Sequence, residues 1–369
     1  MTKPVEPLWR TTFQPDHSFE DLNTLREAVL AKRSKIATET LKDCITVLQS
    51  SSFESFLSSL LDVDLHKSAV SALVFNDPVF LIWLRFLLRA KANGRPQETV
   101  VHLLMLKTVL QDVERRLTGK AQAYISGSLI AVEQGHLHEY LRAATPPSYD
   151  FTHFVEPNKE GVLVGHPLRM QVDMLSHAMG GIKAAWPELA DQVPEFVRII
   201  GYLPDATFRS CSAARYSGVV FLGNMDESLL DIEESLVHEA GHQILYCLGE
   251  VTRLTRVGTP IKANYVLPWS GSKRDLFGYF HAYYIYVLLA KYYWRRAKLG
   301  GQYALDCKQR ALLIIAGIIV ATPVLRADSN LSNQSRVIIN LLADEIEALY
   351  AEICSDTKLE TEKIKVNKI

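Results

Sequence analysis

The stretch SLVHEAGHQIL, residues 235–245, places His238 and His242 four positions apart with Glu239 beside the first, in an otherwise largely apolar run. Residues i and i+4 lie one turn apart on one face of an α-helix, so this spacing needs a helix if both imidazoles are to reach one ion, about 2.0–2.1 Å from each nitrogen. Leu236, Val237, Ile244 and Leu245 are the apolar companions of a buried helix. Gly241 is expected to leave room beside the metal, and Glu239 to meet a metal-bound water or the substrate. One helix thus serves as both core and ligand carrier. A shuffled chain of this composition would contain HExxH in roughly 2% of cases, so the pattern reads as a metal site.

Two histidines do not complete a coordination shell. The metzincin extension would need glycine at 245 and histidine at 248, where this chain has Leu245 and Leu248. His281 is the last histidine in the sequence, in the apolar segment LFGYFHAYYIYVLL, and is the candidate third ligand. The bland alternative is a histidine satisfied within a core. A carboxylate ligand would have to come from Asp275, Asp306, Asp328 or Asp344, because no glutamate occurs between Glu250 and Glu345. Arg274 precedes His281 by seven residues, two turns on the same face if the helix begins near Lys273. A guanidinium beside a metal suits a dicarboxylate, which can chelate with one end and form a bidentate pair with the other.

Bulk properties limit the partners. The 369 residues carry 40 basic against 41 acidic side chains, a net charge of −1, which gives no long-range field for gathering nucleic acid or an anionic membrane. Five scattered cysteines, Cys44, Cys211, Cys247, Cys307 and Cys354, form no CxxC pair and fit a reducing cytoplasm. The N-terminal MTKPVEPLWRTTFQPDHSFEDL lacks the apolar core of a signal peptide. The longest apolar run, Ala311 to Leu325, is shorter than the roughly 20 residues of a spanning helix and contains Pro323, so it reads as a buried core helix.

Helical periodicity runs from about Ser18 to Ala143, with helix starts at Asp77-Pro78 and at Pro96. The prolines of ATPPSYD, residues 144–150, mark a boundary. Beyond it, FTHFVEP, GVLVGHPLRMQVD, 197–202 and 217–222 read as strands, and helices return at 231–248, 275–298, 302–321 and 334–354. The expected fold is mainly α with a small β-sheet (α+β). It comprises a helical N-terminal region (1–145), an HExxH metal-binding region (146–355) with a zincin-like core, and a disordered charged tail (356–369). His136, His138 and His166 read as structural or surface residues.

The segment ESLVHEAGHQIL, followed about twenty residues later by LPWSGSKRDLFGYFHAYY, resembles the HExxH-motif proteins linked to peptide natural-product modification. Members of that family are iron(II)/2-oxoglutarate-dependent oxygenases, unlike cupins in fold, that β-hydroxylate residues of ribosomal peptides. The resemblance covers about residues 205–300. It implies His238, His242 and His281 as iron ligands, Arg274 as the anchor of 2-oxoglutarate, Pro268-Trp269 as pocket wall and Glu239 as the group that orients a ligand or water. Ser270-Gly271-Ser272-Lys273 departs from the Asp- and Pro-rich turn of the family, which keeps Lys273, Arg253 and Arg256 open as substitutes for Arg274. The implied partner is a peptide or amino-acid substrate, leader- or carrier-bound, with neither nucleic acid nor membrane involved and with a homodimer allowed. The alternative is a zinc metallopeptidase with Glu239 as general base. In RSCSAARYSGVVFLGN, Arg209, Arg215 and Tyr216 are candidate substrate contacts, on a strand that either pairs with a peptide or lies inside a sheet.

Overall fold

The computed structural model describes residues 20–48, 73–134, 140, 168–203, 209–223, 226 and 228–366. In chain order the elements are α1 (Glu20–Leu48), α2 (Pro78–Ala92), α3 (Pro96–Leu117), β1 (Ala123–Tyr124), β2 (Ala131–Gln134), α4 (Leu168–Ala185) and α5 (Pro187–Phe196). They continue with β3 (Ile199–Leu203), β4 (Ser210–Cys211), β5 (Val219–Gly223), α6 (Leu229–Val251), β6 (Tyr265–Val266), β7 (Lys273–Arg274), α7 (Leu276–Lys298), α8 (Ala304–Ala327) and α9 (Asn333–Val366). Helices dominate and the sheets are small, as the sequence patterns predict. The chain divides into two compact units, one of residues 25–177 and 193–235, the other of 1–24, 178–192 and 236–369.

The first unit packs the α2–α3 hairpin around Phe80, Trp83, Leu87, Leu103, Val109 and Val113, with Ile199, Val219 and Phe221 of the sheet in the same core. The sheet order is β1-β2-β3-β5-β4, with β2, β3 and β5 parallel and the flanking β1 and β4 antiparallel. Parallel strands buried on both faces show no polar alternation, and β5 (VVFLG) is buried at all five positions. Asp77 caps α2, accepting from the amides of Val79 (2.9 Å) and Phe80 (3.3 Å). Its carboxylate also receives a fork from the buried Arg116 of α3, at 2.7 and 2.9 Å from one nitrogen. Arg115 in turn reaches Glu133 of β2 at 2.7 Å. These charges tie helix start, helix end and sheet together.

The second unit is built on α7, whose buried face includes Tyr279, Phe280, Tyr283, Tyr284, Leu288 and Tyr292, between α8 and α9. Lys291 of α7 is buried against Glu345 of α9, Nζ to Oε2 2.8 Å. Among the described helices α8 alone is long and apolar enough to cross a membrane, and 44% of its most apolar stretch is buried within the protein. It is therefore only half a core helix, contrary to the reading of Ala311 to Leu325 as buried, and it continues through Pro323 to Ala327.

Three further expectations change. Leu168 to Asp173, read as part of a strand, is the N-terminal part of α4. The N-terminal half is not all helical, since it supplies β1 and β2. Residues 356–366, read as a frayed tail, continue α9. The proposed boundary at 144–150, the strand at 151–157, His136, His138 and His166 lie outside the described residues.

Candidate metal centre

Ser228 caps the start of α6. Its Oγ accepts from the Asp231 amide (3.2 Å) and its hydroxyl donates to the Asp231 carboxylate (2.7 Å). The helix then runs unbroken to Val251, so His238 and His242 share one face as their spacing requires. Asp275 caps α7 by accepting from the Gly278 amide at 2.8 Å, and one and a half turns later His281 emerges, 6% exposed.

The structure brings all three histidines together. His238 Nε2 and His242 Nε2 stand 3.0 Å apart, and His242 Nδ1 is 2.6 Å from His281 Nε2. In this arrangement a neutral His242 has one proton for two neighbours, donating on one side and accepting on the other. Desolvation, followed by the adjacent imidazoles, drives the His242 pKa well below its ordinary value, and burial and His238 take His281 down to about 3. Both rings are thus neutral at working pH, the form that binds metals.

Nitrogens 3.0 Å apart match two ligands at a right angle about one ion with bonds near 2.1 Å. His281 faces the other nitrogen of His242, so a shared ion requires His242 to turn about its Cβ–Cγ bond. No three His, Cys, Asp or Glu side chains among the described residues already stand as a formed metal cluster. The donor chemistry nevertheless fits. Three imidazoles carried by two helices, that of His281 almost fully buried, supply the nitrogen donors such an ion takes.

Aromatic rings surround the triad. Tyr246 lies parallel to His242 (6.0 Å between centroids, 15°) and edge-on to His281 (5.0 Å), while Phe277 meets His281 edge-on at 5.3 Å. Tyr286 stands edge-on to His238 at 6.4 Å and is stacked by Trp269 at 4.2 Å. Trp269 donates from its indole nitrogen to the Ile314 carbonyl (3.0 Å). It therefore shapes the wall at one ring's remove, and Pro268 beside it is exposed. Tyr246 and Phe277 are not among the residues the sequence singles out, although each lies four residues from a candidate ligand histidine, a spacing that marks a shared helical face.

Other candidate residues fall differently. Gly241 makes room for α7 rather than for a metal: a Cβ there would sit 2.8 Å from Leu288 Cδ2 and 2.9 Å from Ile285 Cδ1. Glu239 is 2% exposed and its Oε2 has no hydrogen-bond partner among the described residues. Arg274 is an exposed residue of β7, opposite Tyr265, and α7 begins only at Leu276, so the two-turn argument linking it to His281 does not hold. Its stem instead runs beside Gly278, where a Cβ would lie 3.3 Å from that of Arg274, on the turn preceding His281. Lys273, Arg253 and Arg256 are also exposed.

Upstream, β5 is internal to the sheet, and β4, with two residues, is its edge strand. Tyr216 is fully buried with its hydroxyl 3.1 Å from Cys211 Sγ, so it belongs to the core and not to a substrate surface. Arg209 forms an ion pair with Asp226 at 2.8 Å, and Arg215 is exposed. Compared with protein-family models and with curated proteins, the chain matches none.

Proposed function

We propose that the chain is an iron(II)- and 2-oxoglutarate-dependent oxygenase. Its reaction would be hydroxylation of an unactivated C–H bond, at the β-carbon of an amino-acid residue in a peptide or carrier-bound precursor. The observation that carries this reading is the delivery of His281 by α7 to the imidazole pair of α6. The third group brought to HExxH is nitrogen, not the carboxylate of a gluzincin peptidase. Three neutral ligands leave a divalent ion its full charge, which favours a dianionic co-substrate. The likeness of ESLVHEAGHQIL and LPWSGSKRDLFGYFHAYY to the HExxH-motif oxygenases of peptide modification supports the same conclusion.

Iron(II) bound there supplies the redox chemistry that couples decarboxylation of 2-oxoglutarate to insertion of one oxygen atom of O2 into the C–H bond, the other leaving in succinate. The chain's own groups do the rest. His281 is fixed by its burial and by Phe277 and Tyr246, which also limit water beside the ligands. Arg274, its stem against the first turn of α7, is assigned the far carboxylate of 2-oxoglutarate, which a guanidinium binds through two parallel hydrogen bonds. Glu239, a buried carboxyl with an orphan oxygen, orients a ligand or water from behind the coordination shell.

The test is aerobic turnover of 2-oxoglutarate by the iron(II)-loaded chain without substrate. Slow succinate release is expected, reduced more than about tenfold by His281→Ala, the scale of losses seen at altered metal sites. Peptide hydrolysis by the zinc-loaded chain, with no succinate from the iron-loaded one, would assign the site to a peptidase instead.

A further inference from the structure

The helix α8 leaves an apolar stripe in solvent. Between Arg310 and Arg326 it has no charged residue, and along its outer face Leu313 (73% exposed), Ile319 (53%), Val320 (59%) and Val324 (41%) are accessible, with Ala316 and Pro323 exposed between them. The opposite face, Ile314, Ile315, Gly317, Ile318 and Ala321, is buried, so the outer residues are not held out by a misplaced helix. Apolar surface left contiguous along a helix face marks an interaction site more readily than single scattered apolar residues do.

The order of residues on this stripe is self-complementary. Turned antiparallel about Ala316, the helix sets Leu313 of one copy beside Ile319 of the other and Leu312 beside Val320. The same rotation sets Asp306 beside Arg326, whose side chains are 47% and 43% exposed. Each also has partners in its own chain, Arg310 at 3.2 Å for Asp306, and Asn340 at 3.0 Å and Asp344 at 3.9 Å for Arg326, and either can share its charge in a network. A parallel pairing would instead set like charges side by side and align the helix dipoles. The small Ala316 at the crossing point puts two helices at the short end of the roughly 8–10 Å range of interaxial distances, which is set by the side chains at the contact.

We infer that α8 is the two-fold interface of a homodimer, formed by antiparallel pairing with a second copy of this chain and centred on Ala316. A two-fold contact uses the same patch on both partners. The stripe runs about 29 Å from Leu305 to Val324 at 1.5 Å per residue, about five turns of helix offered by each partner. The inference is independent of the metal centre.

Sedimentation of the full chain at micromolar concentration should give 83 kDa, twice the 41.5 kDa of one copy. Leu313→Lys with Val320→Lys should give 41.5 kDa and still melt in one cooperative transition, since both positions are exposed in the single chain. Ala316→Cys should cross-link to a covalent dimer with a short bis-maleimide, and Asp306→Arg should weaken the dimer until Arg326→Asp is added. A wild-type monomer, a dimer indifferent to the lysine pair, or a monomer that instead floats with phospholipid vesicles would each overturn the assignment.

Discussion

His281 is a buried imidazole whose protonation state is set by its surroundings. The unfolded chain takes up a proton near pH 6.5, whereas burial and His238 hold the folded ring neutral down to about 3, and His242 is shifted the same way. The metal-free chain therefore binds fewer protons folded than unfolded across that window. Its stability is fully present above pH 6.5 and falls as the pH drops below it. Denaturant titrations of the chelator-treated chain between pH 7.5 and 5 should show a loss approaching about 1 kcal/mol per pH unit for each histidine. His281→Phe should flatten that slope, and an unchanged slope would mean that His281 is not held neutral. At the other end of the chain, Arg116→Met would strand the buried Asp77 carboxylate. The expected cost is about 3–5 kcal/mol by chemical denaturation, partly recovered when Asp77→Asn is added, since asparagine still caps α2.

The helices carry these residues, and two glycines show how closely they pack. Gly317 of α8 leaves the space that Trp269 fills, because a Cβ at 317 would stand inside the indole ring. Gly317→Ala should displace Trp269, shift its fluorescence and loosen Tyr286 against His238, lowering metal affinity roughly tenfold, as the loss of other supporting contacts does. Intact affinity with displaced fluorescence would show that the stack does not support the site. Gly241→Ala presses only on the flexible ends of Leu288 and Ile285, so it should cost about 1–3 kcal/mol, measurable by thermal melting. The HExxH helix was legible in the sequence because a four-residue spacing encodes a shared face, and the approach of His281 because it is the one histidine after His242. The start of α7 was not, since Lys273-Arg274 pairs with Tyr265-Val266 and the cap falls on Asp275, a tertiary choice that periodicity does not report. Nor were β1 and β2, whose four or fewer residues are too short for alternation to show. The reading of Gly241 failed for a related reason: a missing side chain signals close approach but not by what.

At the scale of the molecule, the unit of residues 236–369 and 178–192 holds all three candidate ligand histidines, while the mixed sheet belongs to the other unit. The histidine cluster is thus a product of helix-on-helix packing, and an ion bound there should register in the stability of the chain. Iron(II) or zinc bound by the folded form alone raises the melting temperature by mass action, an effect that His281→Ala should diminish. The most direct measurement is anaerobic titration of the chelator-treated chain with iron(II) and then 2-oxoglutarate, followed by visible absorption, with His281→Ala in parallel. One iron per chain and a weak metal-to-ligand band that is lost in the variant are the expected result. A band of equal strength in the variant, or tight zinc binding with no band at all, would contradict a three-histidine iron centre that chelates the keto acid.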